Sequence, residues 1–333
     1  MSARDRALGA FYGLAVGDAL GMPTETLSRA AVGRLFGTLD GFRAAPAENE
    51  LSAGLAAGHV TDDTDQAVIV ARCLVDGAGR VDPDLLARRL LDWQAKMELA
   101  GSADLLGPST LRALHLVAAG APAGTTGRWG DTDGAAMRVT PLGIACPPEP
   151  LGRLCAAVAD LDRLTHDTTV ANAGACAVAA VVSAGVSGAG WAEAAPLGVA
   201  AAAAGSAHGY HVAGADVGRR IGWAVDLVRG SDDVQLLDIV DGLVGTGIAT
   251  QEAVPAAFAV ASHAPDDPWR VALLAARLGG DSDTIAAMAT AMVGACTGVG
   301  ALPADAVTQV RAVNDLDLEP LVDDLLALRA AAS

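Results

Sequence analysis

Gly279-Gly280-Asp281-Ser282-Asp283-Thr284 is followed at once by Ile285-Ala286-Ala287-Met288. Two glycines free the backbone, four residues offer only oxygen, and the apolar run reads as the first turn of a buried helix. Far upstream, Thr61-Asp62-Asp63-Thr64-Asp65 runs into Ala67-Val68-Ile69-Val70 with the same character. The two acidic helix starts are expected to meet in space around hard metal ions.

Helix capping is the simpler account of either stretch. Asp, Ser and Thr are preferred caps, and a carboxylate in a first turn suits the helix dipole by about 0.3–1 kcal/mol. Crowding argues for more. A cap needs one acceptor, yet Asp62 and Asp63 are adjacent and Asp281 and Asp283 alternate in a glycine-flanked loop. Two carboxylates about 4 Å apart repel by about 4 kcal/mol at an effective dielectric near 20. A cation resolves that repulsion if the stretches meet. Every candidate ligand is an oxygen, which selects Mg²⁺, Mn²⁺ or Ca²⁺ over zinc or copper. The spacing does not match an EF-hand loop.

Outside these stretches the chain reads as helical. Residues 5–20 carry Leu8, Phe11, Tyr12 and Ala15 on one face, and Pro23 should stop that helix and leave Glu25 on a loop. Residues 27–57 are loop-rich and resist assignment. Thr61 opens a helix that ends near Asp76-Gly77. Asp82-Pro83 starts another, with Leu86, Leu90, Trp93 and Met97 as its apolar stripe and Gly101 as its stop. A helix over 109–117 is followed by a long loop between Gly120 and Pro141, dense in Gly, Thr and Asp; such a loop inside a compact domain is usually functional. Further helices are expected over 150–161, 168–185, 191–204, 211–228, 236–244, 252–261, 268–278 and 285–296, and a last one over 318–328. No stretch alternates with period two, and there is no linker or fixed repeat. The expected class is all-α, one domain over residues 1–333.

Of the 333 residues, 52% are hydrophobic but only 3% aromatic, so the core must be built from Ala, Val, Leu and Gly, whose small side chains let helices approach closely. The formal net charge of -17 argues against nucleic-acid binding, which needs Lys and Arg against phosphate. Five cysteines with no CxxC pair fit reduced, mostly buried thiols and a cytoplasmic location. Asp5 and Asp18 bracket the first apolar run and no convincing cleavage site follows, which disfavours a signal peptide. The Ala- and Gly-rich stretch 170–205 reads as a buried helix pair and not a membrane span.

Five motifs in this order resemble the ADP-ribosylglycohydrolase family, nearly end to end. They are Gly17-Asp18-Ala19-Leu20-Gly21 with Glu25, Thr61-Asp62-Asp63-Thr64, Gly134-Ala135-Ala136-Met137-Arg138 with Pro141-Leu142-Gly143, Thr165-His166, and the stretch from Gly279 to Ala287. The last is highly specific. The resemblance implies a compact, orthogonal multi-helix domain with a binuclear cleft holding two Mg²⁺ or Mn²⁺ ions. It makes Thr61, Asp62, Asp63, Asp281, Asp283 and Thr284 ligands, with Glu25 a ligand or gate beside them. Asp63, Glu25 and Asp283 become the candidate catalytic carboxylates. Asp133, Gly134, Ala135, Ala136 and Met137 would face the diphosphate or distal ribose of an ADP-ribose ligand, and His166 would line the cleft. The implied reaction is hydrolysis of the bond between C1 of ribose and a protein side chain, a poly-ADP-ribose unit or a small leaving group.

Two features pull toward a smaller substrate. Asp133 replaces the Asn of many relatives, and a carboxylate there repels a diphosphate unless metal or Arg128 compensates. Only Tyr210 is an evident adenine platform. Three readings follow: a hydrolase of ADP-ribosylated protein, a hydrolase of a nucleoside-like ribosyl compound, and a non-catalytic metal-stabilised scaffold, since the family includes a lens crystallin. Complete oxygen sets at both motifs disfavour the scaffold. The oligomeric state is not legible.

Overall fold

Helix α1, Ala3–Gly21, carries Gly9, Gly13, Gly17 and Gly21, one per turn, on a single face. That face lies on α15, Ser282–Thr297, in antiparallel register: Gly9 meets Gly294, Gly13 meets Thr290, Gly17 meets Ala286 and Gly21 meets Asp283. A Cβ on Gly17 would stand 2.3 Å from the Ala286 carbonyl oxygen, so the two backbones touch directly. This glycine seam is the axis of the molecule and aims the C-terminal end of α1 at the acidic start of α15.

The structure, a computed structural model, describes residues 1–101 and 106–332. Around the α1–α15 pair run α2 (Arg29–Phe36), α3 (Asp62–Asp76), α4 (Pro83–Ala100), α5 (Pro108–Ala118), the short α6 (Gly134–Met137) and α7 (Thr140–Ala145), and α8 (Leu151–Asp162). Then follow α9 (Thr169–Val186), α10 (Trp191–Gly205), α11 (Val217–Leu227), α12 (Asp233–Ile239), α13 (Thr250–His263), α14 (Pro268–Ala276), α16 (Ala304–Asn314) and α17 (Glu319–Ala332). Among the described residues there is no strand, only isolated bridges such as Thr132 with Ala249. The all-α expectation holds.

Helix α9 has the length and apolarity to cross a membrane, but 94% of it is buried inside the fold. Its small residues explain why. Gly174 admits Thr250 and Val254 of α13, and Gly185 admits Ala295 of α15. From α10, Gly198 seats against Val181 and the Ala177 carbonyl of α9. One continuous apolar core joins these helices. All five cysteines are free, and all but Cys146 are buried.

Several expected boundaries shift. The region 120–141 is not an open loop: a 3-10 stretch, Ala123–Trp129, leads into α6 and α7. Its glycines are there for contact. Gly127 and Gly130 press on the backbone of residues 163–167, and Gly134 presses on the ring of His166. Helix α11 begins at Val217, capped by Asp216, and not at 211. The predicted helix over 236–244 is α12, starting earlier, plus a π turn over Val240–Val244. Helices α2 and α16 have no counterpart in the sequence reading; each buries a single narrow face, Val32 in one and Ala306 with Val310 in the other.

Candidate metal centre

The acidic stretch of α15 is placed by its two glycines. Gly279 and Gly280 both hold left-handed backbone (φ 71° and 65°), a conformation costly for residues with a Cβ. This lets the Gly280 N–H donate to the Leu27 carbonyl (2.8 Å) while the Gly280 carbonyl accepts from Thr26 (2.6 Å). The Asp281 N–H donates to Thr246 (2.7 Å). Asp281 is thus fixed between the segment carrying Glu25 and the segment leading to Ile248. It is the N-cap of α15 by position, yet its side chain caps nothing.

The start of α3 is placed by Asp18, which sequence reasoning left out of the site. Its carboxylate accepts from the Thr61 N–H (3.0 Å), the Thr61 hydroxyl (2.9 Å), the Thr64 N–H (3.1 Å) and the Thr64 hydroxyl. Asp18 therefore shares the capping of α3 from another helix with the Thr61 side chain, which accepts from the Asp63 N–H (3.4 Å), and leaves the Asp62 and Asp63 side chains free of it. The available signal was its position one residue after Gly17 on the glycine face.

The two helix starts meet. Asp63 Oδ2 accepts from the Thr284 hydroxyl (3.2 Å), a direct link between the two motifs, and from Thr61 (3.4 Å). Asp62 accepts from the Gln66 amide (2.7 Å). Glu25 is held by the Ser52 hydroxyl (2.9 Å). Asp133 faces Asp281, whose carboxyl keeps its proton and donates it to Asp133. Burial, reinforced by Asp283, pushes Asp62 and Asp63 well above the usual carboxylate range; burial with Asp133 does the same to Asp281. Burial raises Glu25 to about 10, with Asp283 next in effect, and raises Asp18 to about 7 against the hydrogen bond from Thr64. Asp133 rises to about 7 by burial, and Asp283 only to about 6, because N–H groups at the helix start stabilise its charge.

Among the described residues, no three His, Cys, Asp or Glu side chains form a ready metal-holding group. The expected binuclear cage is therefore not displayed as such. Asp63 Oδ1, Asp133 Oδ2, Asp281 Oδ2 and Asp283 Oδ1 are nonetheless buried with no hydrogen-bond partner. Unpartnered buried carboxylate oxygens are costly. A hard divalent cation would satisfy them, and the oxygen-only donor set fits one.

A cleft of about 250 Å³ opens over this cluster. Glu25, Asp62, Asp133, Gly134, Met137, Asp281, Asp283 and Thr284 line it, together with Leu51, Pro108, Thr132 and Ile248. Thr61 and Asp63 lie beneath, and Ala135 and Ala136 are buried in the core. His166, expected in the cleft wall, sits one layer behind it. It is fully buried, with Nδ1 against the Thr165 hydroxyl (2.7 Å) and Nε2 against the Thr132 hydroxyl (3.0 Å). Tyr210 does not line the cleft. The Arg128 guanidinium covers its ring at 4.9 Å and that of Trp129 at 5.1 Å.

The chain is similar to known proteins along its whole length. The family model described as ADP-ribosylglycohydrolase matches residues 1–333. The chain is 37% identical to YegU of Escherichia coli (strain K12), over 94% of each chain. It is 32% identical to a protein of Archaeoglobus fulgidus over 85% of each. It is also 29% identical to the ADP-ribosyl-[dinitrogen reductase] glycohydrolase of Rhodospirillum rubrum, over 52% of this chain and 55% of that one. A solved structure described as an ADP-ribosylglycohydrolase-related protein complex superposes with a TM-score of 0.67 at 25% identity, covering 100% of this chain and 99% of the other. With its acidic cleft and a whole-length match, the chain belongs to the ADP-ribosylglycohydrolase family, a family of hydrolases.

Proposed function

We propose that the protein hydrolyses the C1 glycosidic bond of an ADP-ribosyl or ribosyl group, with two divalent cations, Mg²⁺ or Mn²⁺, held by Thr61, Asp62, Asp63, Asp281, Asp283 and Thr284. The observation that carries this reading is the set of unpartnered, buried carboxylate oxygens contributed by both acidic helix starts and by Asp133 beneath one cleft. When bound, the cations supply a water of lowered pKa and a hold on the ribose diol. With the cations bound and the carboxylates held ionised by them, Glu25, at the cleft surface and steadied by Ser52, or Asp63 would receive the proton of the attacking water. Asp283 and its neighbours face the sugar ring, where positive charge builds as the bond breaks, and stabilise it. The apolar rim of Leu51, Pro108, Met137 and Ile248 excludes water from that step.

A second reading, a nucleoside-sized ribosyl substrate, is favoured by one observation. Among the described residues, no Lys or Arg lines the cleft, and Asp133 does. A diphosphate bound there would have no cationic side chain from the lining.

The protein, stripped of metal and then reloaded with Mg²⁺ or Mn²⁺, is incubated with ADP-ribosyl-arginine protein, ADP-ribosyl-serine peptide and a nucleoside panel, and release is followed by mass spectrometry. Free ADP-ribose supports the first reading, and a free base without it supports the second. Full activity in exhaustively chelated protein refutes the role of the metals, and silence throughout refutes the hydrolase.

A further inference from the structure

Behind the cleft runs a chain of buried polar side chains that begins at Arg138, the largest fully buried side chain among the described residues. Arg138 donates to the Thr165 hydroxyl, and from its other terminal nitrogen to Gln66 Oε1 (2.9 Å). Gln66 in turn donates to Asp62 at the cleft (2.7 Å). Thr165 meets His166 Nδ1, His166 Nε2 meets Thr132, and the Thr132 hydroxyl donates to Ser109 (3.0 Å). Thr132 lines the cleft.

A guanidinium has only donors. Once Arg138 donates to Thr165, the Thr165 hydroxyl proton has His166 Nδ1 as its acceptor. A neutral imidazole with Nδ1 accepting carries its proton on Nε2 and donates it to Thr132. The Thr132 proton then points to Ser109. Every link then has the same direction, with a donor-only arginine at one end and the Thr132 donation to Ser109 at the other. The groups facing the ring agree with a neutral imidazole: it is fully buried, with the Arg138 cation nearby, and both push its pKa well below the ordinary value.

We propose that Arg138 is a positioning residue that sets the proton direction along Thr165, His166 and Thr132, so that Thr132 meets the bound substrate as a hydrogen-bond acceptor only and selects a donor there, a free sugar hydroxyl or an N–H. His166 is accordingly a relay of orientation and not a general base. The selection half rests on the hydrolase reading above; the direction of the relay does not.

The test is ¹⁵N NMR of imidazole-labelled protein. His166 should show the neutral Nε2–H tautomer, unchanged across the pH range in which the protein stays folded. Arg138→Lys, which also can only donate, should keep that tautomer. Arg138→Met, or Thr165→Val if Arg138→Met does not fold, should release it to a mixture. An Nδ1–H or protonated His166 in the native protein, or an unchanged tautomer in every folded variant, overturns the proposal. For the selection half, ADP-ribose and D-ribose are titrated by calorimetry into the metal-loaded protein. Thr132→Ser should bind like the native protein, and Thr132→Val roughly three- to tenfold more weakly, the effect of one hydrogen bond. Equal binding by Thr132→Val overturns selection by Thr132. A native protein that keeps the tautomer but binds neither probe refutes the hydrolase reading and the selection half together, and leaves the relay standing.

Discussion

Replacing Gly17 by Ala separates what helix propensity predicts from what the seam predicts. Propensity alone says Ala in a helix interior is about 1 kcal/mol better than Gly. In the structure the new methyl would lie 2.3 Å from Ala286 O, 2.6 Å from Ala286 C and 2.9 Å from Ala287 N. All three are backbone atoms of α15, so no side chain can swing aside. Restoring ordinary contact requires α1 and α15 to part by roughly 1 Å in a close-packed core, a strain on the order of 3 kcal/mol. The net expectation is a destabilisation of about 2 kcal/mol. Gly33, in the interior of α2, has open space where its Cβ would be, so Gly33→Ala should stabilise by about 1 kcal/mol. Guanidinium unfolding followed by circular dichroism would give the two midpoints, with the native protein between them. A Gly17→Ala midpoint at or above the native one would refute direct backbone contact at the seam, and with it the account of how α1 and α15 present their carboxylates.

Three further outcomes follow from the site. Asp18→Ala should cost about 3 kcal/mol or more, because it strips two hydroxyls and two N–H groups at the α3 start of their acceptor; a stability loss below 1 kcal/mol would mean that α3 caps itself. Asp63→Ala and Asp283→Ala should each abolish turnover while leaving the circular dichroism spectrum native, and near-native rates in either would remove that carboxylate from the mechanism. The metal-free protein should lose stability as pH rises. Asp283, Asp18 and Asp133 have folded values of about 6, 7 and 7 against an ordinary 3.8, so the folded state holds protons that the unfolded state has released. The loss should run from about pH 4 to pH 7 or above, and saturating Mg²⁺ or Mn²⁺ should flatten it; a metal-free melting temperature that climbs over that window would show that the carboxylates are not crowded.

The acidic character of the two helix starts, the helical pattern and the scarcity of aromatics were all legible in the chain. So was a reason for Gly279-Gly280, whose left-handed backbone is a local property. Asp18 was passed over because its hydrogen-bond donors lie more than forty residues away, in Thr61 and Thr64. His166 was misplaced because its motif says nothing of depth, and Gly134 stands between its ring and the cleft. The stretch 120–141 looked like a loop because glycine reads as a breaker, whereas Gly127, Gly130 and Gly134 are sites of contact with residues 163–167. Helices α2 and α16 escaped because a helix burying one or two residues leaves almost no apolar period.

By itself, then, the sequence specified which residues carry oxygen, where helices begin, and that small side chains would let them pack closely. Those follow from local propensity and from spacing along one chain. Which carboxylates share a cavity, which of them go without a partner, and which way the protons run behind the cleft were decided only by tertiary structure. Burial and repulsion belong to pairs of groups distant along the chain, and the α1–α15 seam is what brings those groups within reach of one another.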